Sequence, residues 1–544
     1  MIHIKNLSYS YPNASRPALV DINTSVERAE FVLIAGPSGA GKSTLLRSLN
    51  GLVPHYSGGS AKGHVYVDGY DVFHAGPKLM SAIVGFVFQN PESQNVLDIV
   101  EDELAFGLEN AGIPSEEMHD RIDEALEILE LGPLRYRPIA TLSGGERQRL
   151  AVASVLVMRP AVIALDEPTS QLDPSSASEL LRYLVRLNQE KDLTILMVEH
   201  RLERVARFSH RILYLEEGRL LLDEPIEQGL SHIDLQESPP LTRLWRSLGW
   251  DHAPLTTEEG YSDFRDVHIS KPLQKGRRHV TSPDKREVLL SVADLRFSFP
   301  TREVLSGVNL QISAGESVAL LGKNGSGKST LLKCVVGLHR PTTGEIELLG
   351  ESIKDKKVAD ICRDAAFLPQ NPDDLLFAES VQDELAVTLE NHGINPDELS
   401  IRPQELLQML GIDVYAQTYP RDLSVGERQR VALGAVIVTE PRVLLLDEPT
   451  RGLDYVAKSR LMELWRSWQD HGLGLLLVTH DVELAARACD RVLILEDGII
   501  AADGPTNEVL GADPVFKPQL ARLFPGFGWL TVQEALEGIG KQIS

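Results

Sequence analysis

Short, almost wholly apolar runs recur along the chain, each stopping at polar or glycine residues. Phe31–Ala35, Ala161–Leu165 and Leu193–Val198 are such runs in the first half. Val318–Leu321, Val443–Leu446 and Leu475–Val478 follow in the second. Runs this short and this apolar predict strands buried on both faces, as in a parallel sheet. Met1–Tyr11 alternates apolar and polar positions instead, the pattern of a strand with one face exposed. Ser115–Leu131 spaces its apolar residues at helical intervals and predicts an amphipathic helix. Buried strands alternating with helices predict an α/β fold built on a mostly parallel sheet, and the 115–131 helix suits a helical subdomain inserted in it. No run of about 18 apolar residues occurs, so no membrane-spanning helix is predicted.

The pattern is written twice. GPSGAGKST at Gly36–Thr44 returns as GKNGSGKST at Gly322–Thr330, and FQNP at Phe88–Pro91 returns as PQNP at Pro369–Pro372. LSGGERQR at Leu142–Arg149 returns as LSVGERQR at Leu423–Arg430, and LDEPT at Leu165–Thr169 as LDEPT at Leu446–Thr450. His200 and His480 each close an apolar run. The offset is 286 at the first motif, 281 at the next three and 280 at the histidines. Chance does not keep five motifs in register; duplication or fusion of one domain does. LTRLWRSLGW at Leu241–Trp250 also resembles LARLFPGFGW at Leu520–Trp529, and L-T-x-x-E follows at Leu255–Glu259 and Leu530–Glu534. We therefore expect a first domain over 1–262, a linker over 263–287 and a second domain over 288–544. The linker is polar, carries Lys271, Lys275, Arg277, Arg278, Lys285 and Arg286, and reads as a solvated tether.

Composition narrows the function. A formal net charge of −24 argues against a nucleic-acid binder, which needs a basic surface. Cys334, Cys362 and Cys489 lie far apart, with neither metal spacing nor a disulfide framework, as expected in a reducing compartment. The N-terminus lacks a basic start followed by an apolar stretch, so no signal peptide is expected.

The glycine loops carry the first chemistry. In G-x-x-x-x-G-K-S after a strand and before a helix, inward-turned backbone N–H groups and the positive helix end cradle phosphates. The cradle residues are Gly36, Pro37, Ser38, Gly39, Ala40, Gly41, Lys42, Ser43 and Thr44. In the second copy they are Gly322, Lys323, Asn324, Gly325, Ser326, Gly327, Lys328, Ser329 and Thr330. Lys42 and Lys328 reach the β- and γ-phosphates of a nucleotide, and Ser43 and Ser329 offer hydroxyls to Mg²⁺. Asp166 and Asp447 end apolar strands, the place for a carboxylate that holds Mg²⁺. In an extended chain the next residues, Glu167 and Glu448, face the other way, toward an attacking water.

Glycine loop, glutamine, LSGGE, Asp-Glu and histidine together resemble the ABC ATPase family, twice over and across nearly the whole chain. The resemblance implies two tandem P-loop ABC ATPase domains, each with a mostly parallel core, an antiparallel β subdomain and an inserted helical subdomain. It implies ATP and Mg²⁺ as cofactors and an intramolecular head-to-tail pairing of the domains. Ser143 and Gly145 then face the γ-phosphate held by Lys328, and Ser424 and Gly426 the one held by Lys42. Gln89 and Gln370 sense Mg²⁺ and the attacking water, His200 and His480 contact the γ-phosphate, and Asp173 and Asp454 signal between domains. Tyr11 and Phe299 stack on adenine or are ordinary core aromatics. Val425 replaces Gly144 in the second signature and is expected to tune that site. Glu167 and Glu448 are both kept, so both sites are expected to hydrolyse ATP.

Four details are similar to the ATPase of energy-coupling factor (ECF) importers of vitamins or transition-metal ions. They are VGFVFQNPESQ at Val84–Gln94, VEDELAFGLEN at Val100–Asn110 with VQDELAVTLEN at Val381–Asn391, Glu199 before the histidine where the second copy has Thr479, and the two extensions. That resemblance implies transmembrane partners with coupling helices, a separate substrate-binding membrane subunit, and a peripheral position on the cytoplasmic face of the cell membrane. Glu92, Asp373 and Asp374 are expected to meet arginines of those partners. A tandem sugar-importer ATPase is disfavoured by the intact Lys328 and Ser329. A ribosome-acting ABC protein is disfavoured by a short linker holding Pro272 and Pro283. A chromosome or DNA-repair ATPase would need zinc cysteines or long heptads.

Overall fold

The computed structural model describes residues 1–14, 16–264, 286–300, 302–395, 397 and 402–543. The expected linker lies, over 265–285, outside the described residues. The chain divides into two compact units, Met1–Gly260 and Tyr261–Ser544.

The first unit contains β1 (Ile2–Ser10), β2 (Leu19–Val26), β3 (Phe31–Ala35), β4 (Ser60–Val67), β5 (Tyr70–Asp71), β6 (Val84–Val87), β7 (Val162–Asp166), β8 (Thr194–Val198), β9 (Arg211–Glu216) and β10 (Arg219–Pro225). They form an antiparallel sheet in the order β2-β1-β4-β5 and a second sheet in the order β10-β9-β3-β8-β7-β6. Within the second sheet β9, β3, β8, β7 and β6 run parallel and only β10 is antiparallel. The alternating N-terminus becomes β1, which buries Ile2, Ile4, Leu7 and Tyr9 on one face. The apolar runs become β3, β7 and β8, buried along their whole length.

The second unit repeats this with β11 (Val288–Phe299), β12 (Arg302–Ser313), β13 (Ser317–Leu321), β14 (Thr343–Leu348), β15 (Glu351–Ser352), β16 (Ala365–Leu368), β17 (Val443–Asp447), β18 (Gly474–Val478), β19 (Arg491–Glu496) and β20 (Ile499–Pro505). The sheet orders are β12-β11-β14-β15 and β16-β17-β18-β13-β19-β20, strand for strand those of the first unit.

Between β6 and β7 the first unit inserts the helices Val100–Asn110, Ser115–Ile128 and Gly144–Leu156. Leu104, Leu108, Ile122, Leu126 and Leu150 share one core with the sheet residues Leu33, Ile163 and Ile195. Burying each such side chain is worth about 1.5–3 kcal/mol, which fixes the inserted layer to the sheet. Each C-terminal extension is pinned by the same device. L-T-x-x-E is a helix cap: Thr256 Oγ1 accepts the Glu259 N–H at 3.2 Å while Glu259 accepts the Thr256 N–H at 3.3 Å. Thr531 and Glu534 repeat the exchange at 3.3 and 2.9 Å. Beside these caps an aromatic pair packs edge to face, Trp245 with Trp250 in the first unit and Phe524 with Trp529 in the second.

Candidate functional site

In each unit the site lies where the carboxyl ends of the parallel strands stop, the usual crevice of an open α/β sheet. The glycine loop joins β3 to the helix Lys42–Leu49. Gly36 has φ 137°, and a Cβ there would stand 1.9 Å from the Leu215 carbonyl oxygen, so no other residue fits. At Gly41 (φ 95°) a Cβ would stand 2.4 Å from the Ala18 carbonyl oxygen, also too close. The Lys42 ammonium donates to the Gly36 and Pro37 carbonyls at 2.8 and 2.7 Å, which holds it across the loop. Lys328 makes the same pair of bonds to Gly322 and Lys323, both at 2.8 Å. Thr44 is buried, and its hydroxyl meets the Tyr11 hydroxyl at 3.0 Å. Tyr11 is thereby fastened to the loop's helix. Phe299, its counterpart, is 45% exposed and packs edge to face on Phe297.

Ser43 donates to Asp166 at 2.8 Å, and Ser329 hydrogen-bonds Asp447. Burial, and then the neighbouring Glu167 charge, push the Asp166 carboxyl up to about 6. Burial pushes Asp447 up as well. A hydroxyl and a carboxylate converging in a dry crevice fit Mg²⁺, a hard cation that takes its remaining oxygens from phosphates and water. Among the described residues no three His, Cys, Asp or Glu are grouped to hold a metal ion by themselves.

Glu167 and Glu448 correct one expectation. The strands end at Asp166 and Asp447, and the glutamates are not extended: both adopt a left-handed backbone, φ 49° and 51°. The turn, not strand alternation, swings them away from the aspartates. The Glu167 N–H remains tied to the Val198 carbonyl at 3.0 Å, and Glu448 to Val478 likewise. In the first unit Gln89 Nε2 donates to Glu167 Oε2 at 3.0 Å, and His200 Nε2 stands 3.0 Å from Glu167 Oε1. In the second unit His480 Nε2 is 3.6 Å from Glu448 Oε1, and Gln370 is exposed.

Ser143 and Ser424 are helix N-caps with complete capping boxes to Glu146 and Glu427. Asp173 and Asp454 also cap helices, Pro174–Lys191 and Tyr455–Asp470. A Cβ on Gly145 would meet the Ser176 Oγ at 2.9 Å, in the helix that Asp173 caps, and one on Gly426 would meet the Leu453 Cδ2 at the same distance, in the turn just before Asp454.

The acids assigned to outside partners are partly engaged at home. Glu92 pairs with Arg147, and Asp373 pairs with Arg428 at 3.0 Å. These are equivalent positions, so each unit ties its glutamine loop to its own signature helix. The spacing of 55 residues hid the pair from the sequence.

The model of the ABC transporter family matches residues 19–170 and 305–451, one stretch in each unit. A Streptomyces coelicolor protein provisionally named ABC transporter ATP-binding protein is 39% identical over 571 residues, covering 99% of this chain and 100% of its own. A Methanosarcina mazei protein of the same provisional name is 37% identical, covering 98% and 96%. An archaeal ribosome recycling factor, aABCE1, solved with the stalk protein aP1, superposes with a TM-score of 0.59 over 93% of this chain and 91% of that one. Its identity is 22%, so this likeness shows the fold alone. Two matched stretches, full-length relatives and one site geometry built twice lead to a single conclusion: the chain belongs to the ABC transporter family, as a tandem ABC ATPase.

Proposed function

We propose that the chain is the ATP-hydrolysing subunit of a membrane importer of the ECF type, peripheral on the cytoplasmic face. It drives transmembrane partners and works with a separate substrate-binding membrane subunit. The observation that carries this reading is the repetition of the whole machine, from glycine loop to capped C-terminal extension, in both units. The names of the full-length relatives support transport. Among the described residues no helix is long and apolar enough to cross a membrane, so the translocation path belongs to partners.

In this reading Lys42 and Lys328 neutralise phosphate charge, and Ser43, Asp166, Ser329 and Asp447 hold Mg²⁺ with Gln89 and Gln370 nearby. Mg²⁺ supplies Lewis-acid charge at the phosphates when bound. Glu167 and Glu448 accept the proton of the attacking water, and His200 and His480 orient it and the γ-phosphate. In the first unit each Glu167 oxygen faces one donor, which fixes the carboxylate plane. Ser143 with Gly145 and Ser424 with Gly426 add phosphate donors at the starts of their helices. Tyr11 and Phe299 stack on adenine.

Affinity purification from detergent-solubilised membranes, with mass spectrometry of the eluate, tests the proposal. Integral membrane proteins are expected; ribosomal proteins in their place would overturn it. Charge reversal should be made at exposed Asp374, because at Asp373 it would also break the Arg428 pair.

A further inference from the structure

The segments bearing the two histidines differ at positions that decide what each segment holds. In the first unit Glu199 is buried, 2% exposed, and burial pushes its carboxyl up. A buried carboxylate is costly unless its lone pairs are filled. Its Oε1 accepts from the Thr169 N–H at 2.9 Å and the Thr169 hydroxyl at 2.5 Å. Its Oε2 accepts from the His200 N–H at 3.2 Å. Arg204 donates to the Thr169 carbonyl at 3.3 Å. All the polar groups of Thr169, two residues past Glu167, are therefore gripped by residues 199–204.

In the second unit Thr479 and Leu484 take the places of Glu199 and Arg204. The Thr479 hydroxyl accepts from the Asp481 N–H at 3.0 Å instead. Asp481 accepts from Lys458 at 2.7 Å, in a pair that is buried on both sides. Lys458 lies in the first turn of the helix Tyr455–Asp470, which Asp454 caps. The first unit has Arg201 and Ala177 at these two positions, so that pair cannot form there.

We propose that Glu199 and the Lys458–Asp481 pair are alternative latches on the histidine segments. The first fastens His200 to the turn carrying Glu167; the second fastens His480 to the helix that follows Asp454. In the first unit histidine and glutamate move as one body. In the second, His480 is fastened to the Asp454 helix, and it stands farther from Glu448, at 3.6 Å. Glu199, Arg204, Lys458 and Asp481 are positioning residues. The kinetic part of this inference rests on the reading of the glutamates and histidines as the hydrolytic pair; the mechanical part does not.

Hydrogen–deuterium exchange on the full-length chain without nucleotide reads the latches directly. E199T should speed exchange over 167–173 about tenfold and leave 448–454 unchanged. K458M/D481N removes both charges together, so that neither is left buried alone, and should loosen 479–488 while leaving 167–173 unchanged. E199Q is the milder variant: it keeps the volume and an acceptor for Thr169, but turns an amide N–H toward His200 N–H. In an E448Q background, where turnover reports the first unit's site, both Glu199 variants should lower kcat about tenfold with the KM for ATP moving less than about twofold. Unchanged exchange over 167–173 in both variants, or loosening spread evenly through the unit, overturns the latch. A raised KM at constant kcat overturns its positioning role. Wild-type turnover in E167Q would instead defeat the assignment of the base and leave the exchange result standing.

Discussion

In the first unit Glu167 meets Gln89 and His200 at 3.0 Å each; in the second, His480 stands 3.6 Å from Glu448 and Gln370 is exposed. The glutamine, glutamate and histidine are the same in both units. Among the neighbours that differ are the residue before the histidine and the residue after it. The same three side chains thus sit in sites of different tightness, and in the latch proposal their neighbours decide which element each is fastened to.

Glutamine substitution at each glutamate breaks the comparison most sharply. E167Q and E448Q should each lower ATP turnover at the altered site on the order of 100-fold or more, as loss of a general base does, with the deeper loss in E167Q. Wild-type turnover in either variant would remove that glutamate from the chemistry. Equal losses would leave the 3.0 and 3.6 Å contacts without kinetic meaning.

Asp166 gives a second, smaller contrast. Its carboxyl sits at about 6, above its ordinary value, because of burial and Glu167. Unfolding relieves both, so the folded chain holds this proton more tightly than the unfolded one. Stability without nucleotide therefore falls as pH rises from about 4 through about 6 and levels off above. Mg²⁺ needs the ionised form, so protons compete with it below about 6. The thermal stabilisation by Mg²⁺-ATP should shrink between about pH 7.5 and about pH 5.5, and D166N should lose that dependence. A shift of the same size at both pH values in the wild type would sink the argument.

The smallest effect is expected where the units agree. E92Q and D373N each break a partly exposed ion pair to the signature helix, worth less than about 1 kcal/mol. Thermal unfolding should move by a degree or two, alike in both variants. A large loss in one alone would mean that the two glutamine loops are anchored differently.

The fold was legible because its signals are local or periodic. Apolar runs named β3, β7 and β8, and the repeat supplied the second unit at once. Lys42, Ser43 and Asp166 were legible because loop and strand end impose their spacing. The left-handed turn at Glu167 was not, since nothing in D-E-P-T distinguishes it from an extended pair. The Glu92–Arg147 tie and the grip of Glu199 and Arg204 on Thr169 were hidden for another reason. Their partners are brought together only by the folded chain, across 30 residues or more. Aligning the two halves position by position does expose Glu199 and Arg204, where the first copy keeps a charge and the second has Thr479 and Leu484.

The left-handed glutamates have an evolutionary consequence. A side chain with φ near 50° costs about 1 kcal/mol or more, and asparagine or glycine would sit there more comfortably. At this one position, selection for folding and selection for hydrolysis pull in opposite directions. A duplicated copy released from catalysis would gain stability by losing its glutamate. Decay of one site in a tandem ATPase therefore has a downhill first step, and only sustained demand for its turnover holds the residue in place.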